Sequence, residues 1–309
     1  MKLRNLLLLL LLSSMWGPSF LFIKVGVREI PPLTLVAGRV GIGALLLYLI
    51  LRYRGGRLPA FGSVWKHVAI VALFQNALPF VLLGWGEQFI DSALASVLNG
   101  TTPLFTIVLA HFFVPDDRLT MAKLTGVLLG FGGLVLLIFP SLVDGVQATT
   151  WGSLAVAGAA ACYGLAIVYT RLHMRGLPPL VAPTAQLIAA TAMVLPLSLL
   201  VDRSYALALP SWQALGSVLA LGVLGTGLAF VVYYALLEHA DASYVSMVTY
   251  VIPVFGVILG VLVLQEVLTW HTYVGCGLIL FGVMLVNELI RPFPARPTMT
   301  EEQPLTPAD

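Results

Sequence analysis

Eight polar or aromatic side chains that interrupt long apolar runs are the residues of this chain best suited to bind a ligand. Their amide, hydroxyl and indole groups can donate or accept hydrogen bonds. No paired nucleophile and base and no metal-ligand cluster accompany them, so we expect no catalytic residue, no metal site and no cofactor. The chemistry that they can support is the binding of a small molecule. The candidate substrate-binding residues are Trp16, Gln75, Asn76, Asn99, Tyr163, Gln186, Thr249 and Tyr250.

One cation, Arg39, also lies inside an apolar run. A charge at the centre of a membrane costs about 2.5–3.5 kcal/mol or more, so such a residue usually has a function. Two interpretations stay open: Arg39 binds an anionic group of a substrate, or it extends to the outer surface and caps carbonyls there. Lys24 is closer to the end of its run, and we expect its long side chain to reach the surface.

The composition indicates a membrane protein. Hydrophobic residues make up 59% of the 309 residues, charged residues only 10%, and the mean hydropathy is +0.98. A soluble domain carries about 25% charged residues. A span of about 20 apolar residues crosses the hydrocarbon core, and the chain contains ten such spans. They lie near 5–25, 33–51, 65–86, 92–113, 120–139, 151–171, 179–201, 212–236, 242–264 and 270–290.

The chain contains the same structural unit twice. Residues 96–105 resemble residues 246–255, and each copy continues through an acidic turn into a glycine-rich apolar run. Each copy holds five spans, and because five is odd the second copy enters the membrane from the opposite face. We therefore predict an all-α polytopic membrane protein with ten transmembrane helices in two inverted five-helix repeats, the usual architecture of alternating-access transporters. The predicted domains are 1–147, 148–290 and a disordered cytoplasmic tail, 291–309.

Prolines predict where the helices break. Proline has no N–H for the carbonyl four residues back, so Pro103 and Pro253 are expected to leave the carbonyls of Asn99 and Thr249 free. Unsatisfied backbone is tolerated in a membrane only inside protein or beside a cavity. The alternative is a packed kink that neighbouring side chains satisfy. The third and eighth spans hold a similar pair of weak points, 75–79 with Pro79 and 222–227.

Several function classes lack their basic parts. The chain has no phosphate-binding glycine-rich loop and no metalloprotease or esterase motif, so we expect neither direct ATP use nor an enzyme. All fourteen acidic residues fall at span ends, in turns or in the tail. We therefore expect no carboxylate proton relay inside the membrane, and no buried carboxylate to hold a substrate ammonium group.

The distribution of Lys and Arg predicts the orientation. If the N-terminus is cytoplasmic, twelve Lys and Arg residues fall on the cytoplasmic side and only Lys24, Arg28 and Arg203 on the outer side. Both termini are then cytoplasmic. The first apolar run is long enough to span the membrane and no small-residue cleavage site follows it, so we expect a retained helix and not a signal peptide.

The chain resembles the drug/metabolite transporter superfamily, specifically its EamA branch of ten-helix carriers. The resemblance covers about residues 5–290, and one departure is 115–118, where the family more often has Gly-Glu-Arg. The residues that carry it are Trp16-Gly17 through Lys24, Pro31-Pro32 with Arg39, Ala95 to Phe105, Leu119-Thr120, Ser246 to Phe255 and Leu268-Thr269.

The resemblance implies export of amino acids, foremost aromatic and neutral ones, or of related metabolites through a central cavity in a bacterial inner membrane. Export of drugs, nucleosides or other metabolites is the alternative within carriers, and a membrane scaffold or sensor is the alternative outside them. The expected partners are a small-molecule substrate and the lipid bilayer. A homodimer is compatible with the sequence, and nothing in it indicates a nucleic-acid partner.

Overall fold

Ten apolar helices make up the protein in a computed structural model, which describes residues 3–114, 119–143, 146–174, 176–240 and 242–290. Nine are long enough to cross a membrane, and the last is a shorter apolar helix. All ten predicted spans are present, so the predicted fold class is confirmed. The helices are α1 (Leu3–Gly26), α2 (Pro32–Tyr53), α3 (Ser63–Gly86), α4 (Ser92–Phe113), α5 (Met121–Val143), α6 (Ala148–His173), α7 (Val181–Asp202), α8 (Trp212–Leu237), α9 (Tyr244–Leu264) and α10 (Trp270–Val286). The predicted tail and the turn at 115–118 lie outside the described residues.

The helices form because the chain leaves the backbone no other partner. Within lipid every N–H and C=O must bond inside the segment, and an α-helix achieves this in a single span. At about 1.5 Å per residue, α1 to α9 are long enough for a hydrocarbon core of about 30 Å. Such helices gain little from the hydrophobic effect when they pair inside a membrane, so close packing of small residues has to hold them together.

The two five-helix copies pack against each other through reciprocal contacts, in which a helix of one copy packs on a different helix of the other. The first helix of each copy packs on the third helix of the other: α1 on α8, and α6 on α3. In the same way α1 packs on α9 and α6 on α4, while α2 contacts α8 and α7 contacts α3. Equivalent helices also pair with one another, as α2 with α7, α4 with α9 and α5 with α10. This is the pattern that a two-fold axis between inverted copies produces.

Glycines bring α5 and α10 into direct backbone contact. A Cβ added at Gly126 would lie 2.6 Å from the carbonyl oxygen of Gly282, and one added at Gly133 would lie 2.8 Å from that of Gly275. Gly126 and Gly275 are equivalent in the two copies, as are Gly133 and Gly282, so the same contact occurs twice. Only residues without a side chain allow two helix backbones to approach this closely.

Matched interruptions divide the helices of both copies. A π-helical turn occupies Leu73–Ala77 in α3, and another occupies Val223–Leu228 in α8. In α4 the break falls at 100–101, and in α9 it falls at Met247. Single π-helical turns inside α-helices occur frequently at functional sites.

The prolines relate to these breaks in two different ways. Pro79 and Pro103 each lie at the start of the helical segment that follows a break, where a missing N–H costs nothing. Pro253 differs, because the segment Val248–Leu264 continues through it. The prediction of a helix break at Pro253 is therefore wrong: one lost hydrogen bond does not end this helix, and its interruption lies six residues earlier.

Candidate functional site

Arg39 is the buried cation around which the polar interior is arranged. It lies on α2 with only 5% of its surface exposed, so the interpretation in which it extends to the surface is wrong. Its Nε donates to the Thr226 hydroxyl at 3.0 Å, and its Cζ lies 3.6 Å from the ring centroid of Phe80. In the described part of the chain no carboxylate comes within salt-bridge distance of it. One hydrogen bond and one aromatic face leave most of its five N–H donors free for a ligand.

Both π turns contribute to the surroundings of Arg39. Thr226 belongs to the turn of α8, and Phe80 follows the turn of α3 that carries Asn76. Residues four apart share one face of a helix, so Asn76 lies about one turn from the ring that the guanidinium covers. Asn76 is fully buried, and neither its oxygen nor its nitrogen has a partner among the described residues. Buried amides are nearly always hydrogen-bonded, so the donors and the acceptor of this amide are available to a ligand.

Two predicted glutamines lie near the same turn. Gln75 is the neighbour of Asn76 in the π turn of α3 and is half-buried. Gln186 is buried on α7, the helix that packs against this π turn. The structure therefore gathers Arg39, Gln75, Asn76 and Gln186 in one region where α2, α3, α7 and α8 meet.

A buried carboxylate, Glu87, contradicts the expectation that the interior would hold none. It is the first residue after α3 and has no exposed surface, and neither carboxylate oxygen has a hydrogen-bond partner among the described residues. Burial away from water raises the pKa of the Glu87 carboxyl well above its ordinary value, and the positive charge of Lys24 opposes that shift. The sequence placed Glu87 correctly at a helix end but could not show that other helices cover this end.

Lys24, which was expected to reach the surface, is half-buried and ends at the turn between α3 and α4. Its ammonium group donates at 2.7 Å to the backbone carbonyls of both Glu87 and Ile90. It therefore ties α1 to the turn between α3 and α4, and its charge stays beside the Glu87 carboxyl.

Aromatic rings lie on the first helix of each copy. Trp16 on α1 and Tyr163 on α6 are equivalent in the repeat, and both are half-buried. The Trp16 ring lies 5.7 Å from that of Tyr233 on α8. Tyr163 is close enough to Arg39 to act on it electrostatically. An apolar group bound near the guanidinium would therefore lie close to Tyr163.

The other three predicted residues lie on α4 and α9, and their polar groups are largely engaged. The hydroxyl of Thr102 donates to the carbonyl of Asn99 at 2.8 Å, so that carbonyl is not free as predicted. The Thr249 hydroxyl donates to the carbonyl of Ser246 at 2.7 Å. Near a proline break, a local hydroxyl can replace the missing N–H. The side-chain oxygen of Asn99, by contrast, is buried without a partner among the described residues.

Tyr250 turns toward α10. Its hydroxyl donates to the carbonyl of Val283 at 3.0 Å and accepts from the amide of Asn287 at 2.7 Å. These two bonds hold the ring between α9 and α10, and no contact joins it to the Arg39 region in the described part of the chain.

Carboxylates from one copy cap helix N-termini of the other copy at one end of the bundle, which we call the carboxylate end. It comprises the connections α1–α2, α3–α4, α7–α8 and α9–α10. Such caps satisfy free N–H groups and complement the positive end of the helix dipole. Glu29 accepts from the N–H and the hydroxyl of Ser211 at 2.7 and 2.6 Å, Asp202 accepts from the N–H and the hydroxyl of Thr34 at 2.8 and 2.9 Å, and Glu266 accepts from the N–H groups of Ser92 and Ala93 at 2.8 and 2.9 Å.

Comparison with known proteins identifies this arrangement. The model of the EamA-like transporter family matches residues 3–139 and again residues 150–288, so each five-helix copy matches it separately. The chain belongs to the EamA-like transporter family. It is therefore a multi-pass membrane transporter of small molecules.

Relatives of this EamA-like transporter include bacterial and plant proteins. The uncharacterized transporter YoaV of Bacillus subtilis is 31% identical over 277 residues, which cover 88% of this chain and 93% of YoaV. The uncharacterized inner membrane transporter YedA of Escherichia coli is 27% identical over 290 residues, which cover 93% of this chain and 92% of YedA. The chloroplastic WAT1-related protein At3g02690 of Arabidopsis thaliana is also 27% identical, over 278 residues that cover 88% of this chain and 66% of the plant protein. A solved crystal structure has the same fold, with a TM-score of 0.67 at 21% identity over 95% of this chain and all of that one.

A cavity of about 410 Å³ in this EamA-like transporter lies apart from the predicted residues. It is at the carboxylate end, between α2, α8 and the segment 204–210, and its lining is mostly apolar. We place the candidate site at Arg39 instead, because that is where buried polar groups lack partners.

Sequence reasoning missed three residues of the site in this family member. Thr226 and Phe80 contact Arg39 directly, and Glu87 acts on it electrostatically. Thr226 lies in the segment 222–227, where the sequence predicted an interruption of α8. That prediction could have pointed to Thr226 as a site residue. Phe80 gave none, since its ring resembles any other apolar residue of the span.

Proposed function

We propose that this protein exports amino acids, foremost aromatic and neutral ones, by alternating access across a bacterial inner membrane. The observation that carries the proposal is the buried guanidinium of Arg39, which bonds the π turn of α8 and covers a ring beside the π turn of α3. Guanidinium recognises a carboxylate with two parallel hydrogen bonds. An amino acid offers that carboxylate, and the name of the relative YedA supports the inner membrane.

The remaining groups fit the rest of an amino acid. The unpaired amide of Asn76 and the amide of Gln186 can bond its polar end, while Tyr163 and the Trp16–Tyr233 pair offer aromatic faces to its side chain. Aromatic pairs contribute about 0.5–1.5 kcal/mol beyond burial. We therefore expect aromatic substrates to bind best and small neutral ones more weakly.

The reciprocal contacts between the two copies support alternating access. Inverted copies can adopt each other's conformations, which opens one end of the bundle as it closes the other. In this conformation the three carboxylate caps and Lys24 hold the carboxylate end together across the copies. By the distribution of Lys and Arg we propose that this end faces outward and that both termini are cytoplasmic.

Transport in reconstituted liposomes tests the function. We expect labelled phenylalanine to exchange across the membrane, and unlabelled phenylalanine, tyrosine and leucine to compete in that order. Nucleosides and cationic dyes are included as competitors. Competition by nucleosides or dyes alone would favour export of other metabolites, and the absence of any flux from a folded protein would favour a scaffold or sensor.

Cysteine labelling from one side tests the orientation. Single cysteines that replace Arg54 and Asp202 should react from opposite sides of the membrane, because the two positions lie at opposite ends of the bundle. Labelling of both from the same side would contradict the inverted arrangement.

A further inference from the structure

We propose that Glu87 is a proton-binding site through which this transporter exchanges one proton for one substrate molecule. The inference rests on the proposed function for its substrate, since the ammonium group of an amino acid is the cation that would replace the proton. It goes beyond that function by naming the coupling ion and the residue that carries it.

Glu87 is buried without a hydrogen-bond partner among the described residues. Its side chain has no exposed surface, and both carboxylate oxygens lack hydrogen bonds among the described residues. A buried carboxylate has two ways to avoid the cost of an isolated charge: it takes up a proton, or it pairs with a cation. In this conformation no described cation bonds its oxygens, which leaves the proton.

Close packing shuts Glu87 off from water at the carboxylate end. A Cβ added at Gly86 would lie 2.8 Å from the carbonyl oxygen of Gly152 and 2.7 Å from the side chain of Val156, so α3 and α6 touch beside Glu87. Lys24 holds the next turn down by bonding the backbone carbonyls of Glu87 and Ile90. Opening of the carboxylate end would have to release this turn, and water would then reach Glu87.

Two cations face Glu87 from neighbouring helices, and both favour its ionised form. They are Lys24 on α1 and Arg39 on α2. The Lys24 ammonium is occupied by two backbone carbonyls, and it therefore stabilises the carboxylate from a distance without bonding it. The guanidinium of Arg39 is also influenced by Tyr163, the titratable residue that α6 brings into the region.

One carboxyl group, that of Glu266, acts against ionisation of Glu87. Glu266, in the turn between α9 and α10, raises the cost of a second negative charge, although its own oxygens already accept from Ser92 and Ala93. Asp91 lies four residues further along the same turn and is exposed. Its pKa is also raised, first by partial burial and then by Glu266. Glu87 thus lies among charges of both signs. The gain or loss of one nearby charge therefore changes the free-energy difference between its protonated and ionised forms.

The proposed exchange is balanced in atoms and charge. When the carboxylate end is open, an O–H bond forms between a Glu87 oxygen and a proton from outer water, and the substrate ammonium group leaves. When the other end is open, that O–H bond breaks toward inner water and a new ammonium group pairs with the carboxylate. The substrate carboxylate stays with Arg39 while bound. One proton enters for each amino acid exported, and no other bond changes.

Infrared spectroscopy tests the proton site without any substrate. The purified protein at neutral pH should show the C=O band of a buried protonated carboxyl group. Glu87→Gln should lose this band, whereas the matched control Asp91→Asn, an exposed carboxylate in the same turn, should keep it. Gln has the shape of protonated Glu, so both variants are expected to fold. Absence of the band from the native protein, or its persistence in Glu87→Gln, would overturn the proposal.

Transport in liposomes tests the coupling. A pH gradient should drive labelled phenylalanine to accumulate against its own gradient in the native protein and in Asp91→Asn. Glu87→Gln should lose this accumulation. Accumulation that Glu87→Gln retains would refute the coupling role. If no amino acid exchanges at all, the proposed function fails, while the infrared band still decides whether Glu87 holds a proton.

Discussion

Replacement of Arg39 should separate substrate affinity from stability. In Arg39→Gln the charge disappears and a neutral side chain of shorter reach remains, the same residue that the second copy carries as Gln186. A hydrogen bond to a charged group contributes about 1.5–3 kcal/mol. Since about 1.4 kcal/mol corresponds to a factor of ten, the affinity for phenylalanine should fall about 10- to 100-fold.

The stability of the same variant should change in the opposite direction or not at all. Only 5% of the surface of Arg39 is exposed. Its side chain makes one hydrogen bond, at 3.0 Å, and has no carboxylate partner among the described residues. Burial of a charge without an ion-pair partner costs free energy that the folded protein has to offset. Its removal should therefore leave the melting temperature unchanged or raise it.

Phe80→Leu is the matched control, because it keeps the charge and removes only the ring beneath it. A cation–π contact contributes about 0.5–2 kcal/mol, so the affinity should fall less than in Arg39→Gln. Binding measured by calorimetry and melting measured by fluorescence decide the matter. If Arg39→Gln lowers the melting temperature and leaves the affinity unchanged, Arg39 is a structural residue and the site lies elsewhere.

Two further predictions concern the scaffold. Gly126→Ala should destabilise the α5–α10 pair by about 1–3 kcal/mol, because its Cβ would lie 2.6 Å from the Gly282 oxygen; Gly132→Ala on the same helix, where the Cβ meets nothing within 4 Å, should melt at or above the native temperature. Hydrogen bonds from Ser211 lower the pKa of Glu29, so its contribution to stability exists above the ordinary carboxyl pKa and is lost as the pH falls through the lowered value. Glu29→Gln should therefore melt with less dependence on pH in the acid range, and an unchanged acid profile would contradict this.

The transmembrane architecture could be predicted because lipid leaves few choices. The boundaries of the ten helices agree with the predicted spans within four residues. Apolar length determines where a span lies, and the inverted relation follows from counting five spans per copy. Even the weak point at 222–227 was visible, since it holds three glycines and a threonine in an otherwise apolar run.

The polar interior could not be predicted, because it depends on which helices cover one another. Glu87 is a turn residue by its position in the chain, yet the contact of Gly86 with Gly152 buries it. The carbonyl of Asn99 was expected to be free, but the hydroxyl of Thr102 reaches it. Both results arise from contacts that a linear pattern does not contain.

The charges of the site are asymmetric although the scaffold is nearly symmetric. The residue that corresponds to Arg39 is Gln186, and the one that corresponds to Glu87, in the register of the matched π turns, is Leu237. The two charged residues that are buried in the described part of the chain, Arg39 and Glu87, therefore both belong to the first copy. Under the alternating access proposed above, this one set of charges would face each end of the bundle in turn.

The carboxylate caps show the same asymmetry at the ends of the bundle. Glu29 and Asp202 tie the copies together at the carboxylate end, while the corresponding residues at the opposite end are Gly176 and Gly55. Both glycines adopt positive φ angles, 87° and 74°, which glycine allows without strain, and neither has a side chain that could accept a hydrogen bond. The two ends therefore cannot close by equivalent contacts. Under the alternating access proposed above, the conformation with the carboxylate end shut would have these two caps and its mirror conformation would lack them, which would favour opening at the other end.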